Sequence, residues 1–427
     1  MPSGDGLIVR VRPRSARLAA HRLRALAGLA REAGNGVIEL TRRANLQIRG
    51  VSRGSLAALQ DGLVSLELAE ATPERARRPA LLVCPLSGLD PRCAPLEPLA
   101  GALEQLLSVT PAARRLSDKF GLVLSGGSHL CAEVSADIRI QLDAAQPGLA
   151  DLRLAGTAAS ACSLGTCPIG DVPSAVARLL SALGSADSGW ERMRDALEGG
   201  GLARLHAAVQ HLLGPARRMP SWSSSCLGFQ SGKQSYFGLS VPFGSAGAEA
   251  WAGIADLADD LGSGELRLTP ARQVLVTGVR EADLARLVER AKSLGFGVEP
   301  TDRSLELVAC SGAPACQSSH GETRRLALEL GELVRHASLA RGTLHVSGCD
   351  KGCARSGAAE VTLVWGADGP RLGFGTDVAQ TSSGPRLSLA TVRERVSAQF
   401  ACASVAEARA ARPAKLNGAL TADGTRS

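Results

Sequence analysis

Along residues 36–51, GVIELTRRANLQIRGV, apolar and polar positions alternate on either side of TRRAN, a pattern that predicts strand, turn and strand. The pattern returns at residues 264–279, GELRLTPARQVLVTGV. There Gly264, Leu268, Thr269, Gly278 and Val279 match Gly36, Leu40, Thr41, Gly50 and Val51 without a gap. Upstream of each hairpin, SARLAAHRLRALAGLAREAG and AGAEAWAGIADLADDLGSG carry the helical apolar period and end on a glycine suited to a left-handed cap. Downstream, RGSLAALQDGLVSLEL and READLARLVERAKSLGF are again helical, the second running from acidic to basic as the helix dipole favours. Two copies of a βαββα-like unit, related by duplication, are expected.

Each copy precedes a longer segment, about 79–213 and 303–400, that opens on an apolar strand ending at a turn: PALLVCPLSGLDP and SLELVACSGAPAC. Between the halves, GPARRMPSWSSSCLG is rich in Gly, Pro and Ser and reads as a linker. The expected organisation is a half-domain at 1–72, a larger domain at 79–213, a second half-domain at 226–298, a second larger domain at 303–400, and a mobile tail at 403–427. A chain of 427 residues suits several such compact units.

Charge changes this picture little. The formal net charge is +7, but only five of the 48 basic residues are lysine, the arginines are scattered, and aromatics are 3%, which argues against a nucleic-acid surface and for arginines that face an acidic small molecule. The start, MPSGDGLIVRVRPRS, lacks the apolar core of a secretory signal, and no stretch approaches the roughly 20 apolar residues of a membrane span. The expectation is a cytoplasmic protein without a membrane partner. In that compartment eleven cysteines point to metal ligation, redox chemistry or burial, and spacing must decide among them.

Cys310 and Cys316 in CSGAPAC follow one predicted strand, and Cys349 and Cys353 in GCDKGC follow the next, TLHVSG, with the helix ETRRLALELGELVRHA between them. Four thiolates suit zinc or an iron–sulfur cluster. The five-residue gap is looser than that of zinc knuckles and favours the wider [4Fe–4S] cluster, while Gly312, Pro314, Gly348 and Gly352 let backbone amides approach its sulfurs. Zinc and four unligated thiols are the alternatives. Cys84, Cys93, Cys131, Cys162, Cys167, Cys226 and Cys402 read as buried or loop residues, the nine-residue step from Cys84 to Cys93 being a poor match for a metal pair with Cys162 and Cys167. No 2-His-1-carboxylate spacing is present among the histidines at 21, 129, 206, 211, 320, 336 and 345, of which His129 and His320 sit nearest to glycine-rich or cysteine loops. No GxGxxG follows a strand and opens a helix, so electrons are expected from an external donor.

LTRRANLQIRG, LTPARQVLVTG, CSGAPAC and GCDKGC, in that order, resemble the duplicated nitrite and sulfite reductase family over about residues 7–400. The resemblance implies an α+β, pseudo-two-fold architecture of ferredoxin-like half-domains plus two larger α/β sandwich domains. It also implies a [4Fe–4S] cluster on Cys310, Cys316, Cys349 and Cys353, with Cys353 bridging to siroheme in members that bind it. In the family's anion clamp, Arg43 matches the first arginine and Lys119 the first lysine, but Ala80 and Gly121 stand where the second arginine and second lysine belong. Half the clamp is missing. GVIELTRRANLQIRGV, VCPLSGLDP and GELRLTPARQVLV resemble in particular the precorrin-3B synthase branch. That branch implies an oxygen-dependent monooxygenase of cobalamin biosynthesis, hydroxylating precorrin-3A at C20 and closing a γ-lactone, with a mononuclear non-haem iron in addition to the cluster. The substrate is a tetrapyrrole rich in carboxylates, for which Arg42, Arg43, Arg49, Arg272, Lys119 and Arg355 are the candidate partners. Alternatives are a siroheme-dependent nitrite or sulfite reductase and a non-catalytic tetrapyrrole-binding protein.

Overall fold

The computed structural model describes residues 1–401, apart from 73–75, 77, 185–188, 218, 224, 301–302, 335–342 and 356. His336, Cys402 and the expected tail 403–427 lie outside the described residues. The chain divides into two compact units, 1–302 and the remainder from 303.

In the first unit, β1 (Pro2–Ser3), β2 (Gly6–Val11), β4 (Val37–Leu40) and β5 (Leu46–Val51) form a sheet with helices α1 (Ala20–Ala33) and α2 (Leu56–Ser65). The second repeat gives β11 (Gly228–Gln230), β12 (Tyr236–Ser240), β14 (Glu265–Leu268) and β15 (Gln273–Thr277), with α7 (Ala248–Leu261) and α8 (Leu284–Ser293). Both predicted hairpins form, with Leu40 opposite Leu46 and Leu268 opposite Val274. Thr41 and Thr269 recur in the sequence because their hydroxyls organise the turns. Thr41 Oγ1 accepts from the N–H groups of Arg43 (3.3 Å) and Asn45 (3.2 Å), and Thr269 Oγ1 accepts from that of Gln273 (3.1 Å). These bonds hold Ala44 (φ 53°) and Arg272 (φ 59°) in left-handed backbone at the same turn position, which costs an L-residue about 1 kcal/mol.

The repeats also exchange strands. β3 (Arg17–Ala19) leaves the first repeat and pairs with β14 of the second, while β13 (Ser245–Gly247) pairs with β4 of the first. The sheet orders are β1-β2-β5-β4-β13 and β11-β12-β15-β14-β3. Trp251 on α7, fully buried, donates its indole N–H to Ile38 O at 3.1 Å and meets Phe296 edge-on. Neither repeat can therefore complete its sheet alone.

The third sheet, β10-β9-β8-β7-β6, comprises β6 (Ala80–Val83), β7 (Gly121–Ser125), β8 (Ala136–Asp143), β9 (Gln146–Gly156) and β10 (Cys162–Pro168). Its first three strands run parallel and the last two antiparallel. Helices α3 (Glu97–Val109), α4 (Val172–Leu183), α5 (Met193–Glu198) and α6 (Leu202–Val209) accompany it. The expected linker at 214–228 is instead fastened to this sheet: Gly214 bridges Thr166, Trp222 bridges Ser128, and Arg92 lies 4.3 Å over the Trp222 ring. The division between compact units consequently falls after 302, because the exchanged strands and this fastened segment knit the first 302 residues together.

The second unit repeats the strand plan of the third sheet. β16 (Leu307–Ala309), β17 (Leu344–Ser347) and β18 (Ala359–Gly366) are parallel, and β19 (Gly369–Thr376) returns antiparallel. Helices α9 (Thr323–Leu333), α10 (Val378–Ser382) and α11 (Leu389–Ala401) complete it. Among the described residues no helix is long and apolar enough to cross a membrane.

Candidate functional site

Because β16 and β17 are parallel with Ala309 opposite Val346, the residues that follow them emerge at one edge of the sheet. Cys310 leaves β16 there, and Cys349 lies two residues beyond β17. Cys310 Sγ accepts the Gly348 N–H at 3.2 Å, while Thr323 Oγ1 donates to Cys310 O at 2.6 Å. The loops are stapled by the His320 N–H on Gly348 O (2.8 Å) and by Lys351 Nζ on Ser318 Oγ (2.8 Å). Gly348 is required at this approach, since a Cβ there would stand 2.0 Å from Ser319 Oγ. Within the 310–316 loop, Gly312 takes φ 71° and its carbonyl accepts from Cys316 N–H at 2.8 Å. Cys310, Cys316 and Cys349 are half-buried and Cys353 is the most exposed. The Cys353 thiol is pushed up by desolvation and then by Cys310, Cys349 and Cys316, so all four sulfurs share one electrostatic neighbourhood.

This donor set fits a [4Fe–4S] cluster: four thiols on two strand-end loops, with a backbone N–H already directed at one sulfur. Among the described residues no three His, Cys, Asp or Glu side chains converge closely enough to hold a single metal ion. His129 and His320 are both exposed.

A second feature lies in the first unit. Arg10 pairs with Gln47 across β2 and β5, so β2 delivers Arg10 and Arg12 to the end where the 41–45 turn presents Arg43. Arg43 Nη2 donates to Ser135 O at 3.2 Å. Ala80 and Gly121, the two positions that lack the clamp cations, are direct partners across β6 and β7. A Cβ on Gly121 would stand 2.7 Å from Arg43 Nη1. The remaining cavity, lined by Arg43, Ala80, Leu82, Leu122 and Ser135, is about 20 Å³, room for a single water. A side chain at 121 would therefore require the Arg43 guanidinium to shift.

The surrounding charges are unbalanced toward positive. Asp137, 1% exposed, accepts from Gly121 N–H (3.0 Å), Arg192 Nε (2.9 Å) and Met193 N–H (3.0 Å). The Arg43 guanidinium is held below its ordinary value by burial and then by Arg192, with Asp137 opposing. Arg12 is lowered likewise, by burial and then by Arg10, with Arg78 and Arg43 adding and Asp118 opposing. Each still carries its charge at any physiological pH. A bound anion placed among these guanidinium groups would relieve their mutual repulsion. Arg10, Arg12, Arg78 and Arg192 are absent from the sequence-based set. The alternating VRVR of residues 9–12 was the available signal for the first two.

Other candidates are placed elsewhere. Arg49 is corrected outright: it is 3% exposed, and its guanidinium is engaged by Asp5 (2.9 Å), Glu39 (3.1 Å) and Ser3 Oγ (3.0 Å), inside the first sheet and unable to reach a ligand. Arg272 is the counterpart of Ala44 and not of Arg43, and its stem lies against Gly244, where a Cβ would be 2.6 Å from Arg272 Cδ. Arg42 is half-buried at the first turn, and Lys119 is exposed. Arg355 closes a turn in the second unit through Nε on Ala358 O at 3.1 Å.

A family model described as the nitrite/sulfite reductase ferredoxin-like half domain matches residues 1–66 and 229–294. The structure of the Mycobacterium tuberculosis NirA protein superposes with a TM-score of 0.71 at 22% identity, covering 86% of this chain and 73% of that one. The fold is thus the pseudo-two-fold α+β architecture of nitrite and sulfite reductases, with ferredoxin-like half-domains. A ferredoxin–nitrite reductase of Synechococcus elongatus is 30% identical over 41% of this chain and 34% of its own length. A precorrin-3B synthase of a Sinorhizobium species is 33% identical over 390 residues, 90% of this chain and 82% of the relative. The chain belongs to the precorrin-3B synthase branch of the nitrite/sulfite reductase-like family.

Proposed function

We propose that this chain is an oxygen-dependent oxidoreductase of cobalamin biosynthesis that converts precorrin-3A to precorrin-3B. One oxygen atom of O₂ becomes the C20 hydroxyl as a ring A acetate closes the γ-lactone. The other leaves as water, taking two electrons from an external donor and two protons. When bound by Cys310, Cys316, Cys349 and Cys353, a [4Fe–4S] cluster supplies one-electron transfer. The Gly348 N–H on Cys310 Sγ stabilises negative charge on that sulfur. Arg10, Arg12 and Arg43 fork to substrate carboxylates and fix the macrocycle by its rim.

One observation carries this reading over a siroheme reductase: Ala80 and Gly121, the two positions without clamp cations, face each other across β6 and β7, and the Arg43 guanidinium lies over Gly121. A clamp with half its cations suits fixed carboxylates of a large ligand better than a small dianion that must be surrounded. The visible spectrum of anaerobically purified protein tests it. A broad iron–sulfur shoulder without sharp tetrapyrrole bands is expected. Bound siroheme with sulfite or nitrite turnover would overturn the reading in favour of a reductase, and precorrin-3A binding without turnover would favour a binding protein.

A further inference from the structure

Cys84 and Cys93 meet in the interior of the first unit, with Cys131 buried beyond the next strand, each no more than 1% exposed. Cys84 directly follows β6, Cys93 lies between β6 and α3, and Cys131 lies between β7 and β8. The Cys93 thiol points at Cys84 Sγ, the sulfurs 3.9 Å apart. Gly126 leaves the room for this contact, since a Cβ there would stand 2.4 Å from Cys93 Sγ. The neighbouring Cys131 and Cys93 thiols, and then the Leu86 and Gly126 backbone amides, draw the Cys84 thiol down against the opposing effect of burial. The same contact with Cys84, together with burial, pushes Cys93 and Cys131 up. The loop after Cys84 is fixed by Arg267, whose Nη1 donates to Pro85 O at 3.0 Å and also to Ser87 O. Two buried sulfurs thus lie in contact on a positioned loop, the one that follows β6 accepting from the other, the arrangement of attacking and resolving thiol in thiol oxidation.

We propose that Cys84 and Cys93 form a modification site for hydrogen peroxide, closing to a disulfide within the folded protein. The peroxide reaches the pair through local opening of the connecting loop. Cys84 Sγ attacks one peroxide oxygen, the O–O bond breaks, and hydroxide leaves a sulfenic acid on Cys84. Cys93 Sγ then attacks that sulfur; its thiol proton and the displaced hydroxyl leave as water. Two thiols are oxidised and one peroxide is reduced to two waters. The sulfurs close from 3.9 Å to about 2 Å. None of these thiols serves the four-cysteine site or the arginine group.

The test treats the full chain with hydrogen peroxide, quenches it with an alkylating agent in denaturant, and digests it with trypsin. Cleavage after Arg92 separates the 78–92 peptide carrying Cys84 from the 93–114 peptide carrying Cys93. The expected result is a dithiothreitol-reducible link between these peptides, several-fold above untreated protein, lost in Cys93→Ser and kept in Cys131→Ser. The wild-type measurement stands even if a variant folds poorly. Three results would overturn the proposal: Cys84 and Cys93 alkylated as fully after peroxide as before, Cys84 recovered as sulfinic acid without the link, or Cys84 linked to Cys131.

Discussion

The alignment that pairs Thr41 with Thr269 also pairs Arg10 with Gly238, Arg12 with Ser240 and Arg43 with Ala271. One hairpin end therefore gathers three cations that its counterpart lacks, although the backbone of both turns is the same down to the left-handed residue at the tip. Thiols divide the other way. Cys84 leaves β6 where Cys310 leaves β16, and Cys131 lies in the β7–β8 connection as Cys349 and Cys353 lie in that of β17 and β18. In the second half the thiols are half-buried or exposed, on glycine-containing loops. In the first they are sealed, and Cys84 touches Cys93. The two halves share one frame, and side-chain size and burial gave one half the clustered cations and the other the accessible thiols.

The largest expected effect separates the two thiol sets. Cys349→Ser should remove nearly all cluster iron and sulfide, whereas the topologically related Cys131→Ser should remove none; iron loss from Cys131→Ser would break the comparison. Next, Asp137→Asn should lower unfolding stability by about 3 kcal/mol in urea titrations, because the buried carboxylate answers Arg192 and three of its contacts are charged or backbone donors. Gly121→Lys should weaken tetrapyrrole binding about tenfold or more by displacing Arg43, read as a shift in Kd by absorbance titration. An unchanged Kd would mean that Arg43 does not hold the ligand. The smallest effect belongs to Arg24→Ala on the α1–α7 face, where the exposed pairs with Asp256 and Asp259 contribute under about 1 kcal/mol.

The hairpins, their helices and the two cysteine loops were legible because each is encoded locally: alternation around a Thr-anchored turn, helical period, and close cysteine pairs after apolar strands. The strand exchange was not, since RLA and SAG are three-residue segments whose partners lie in the opposite repeat. Arg49 looked like a turn cation in LQIRG, and only the sheet reveals Asp5 and Glu39 against it. Cys84 and Cys93 looked mismatched at nine residues apart, yet a loop pinned by Arg267 brings their sulfurs into contact. Arg192 is far from Arg43 in sequence and is brought near through Asp137. Spacing reports contacts within a loop, and it is silent about contacts made by packing.

The central claim, that the cation-bearing hairpin of the first half binds a tetrapyrrole for oxygenation, is tested most directly by turnover. Anaerobically purified protein given precorrin-3A, a reductant and isotopically heavy oxygen should yield a hydroxylated lactone carrying one labelled atom in the new hydroxyl, and Arg43→Ala should lose most of that product. No hydroxylated product from cluster-replete protein, or equal product from Arg43→Ala, would contradict the account.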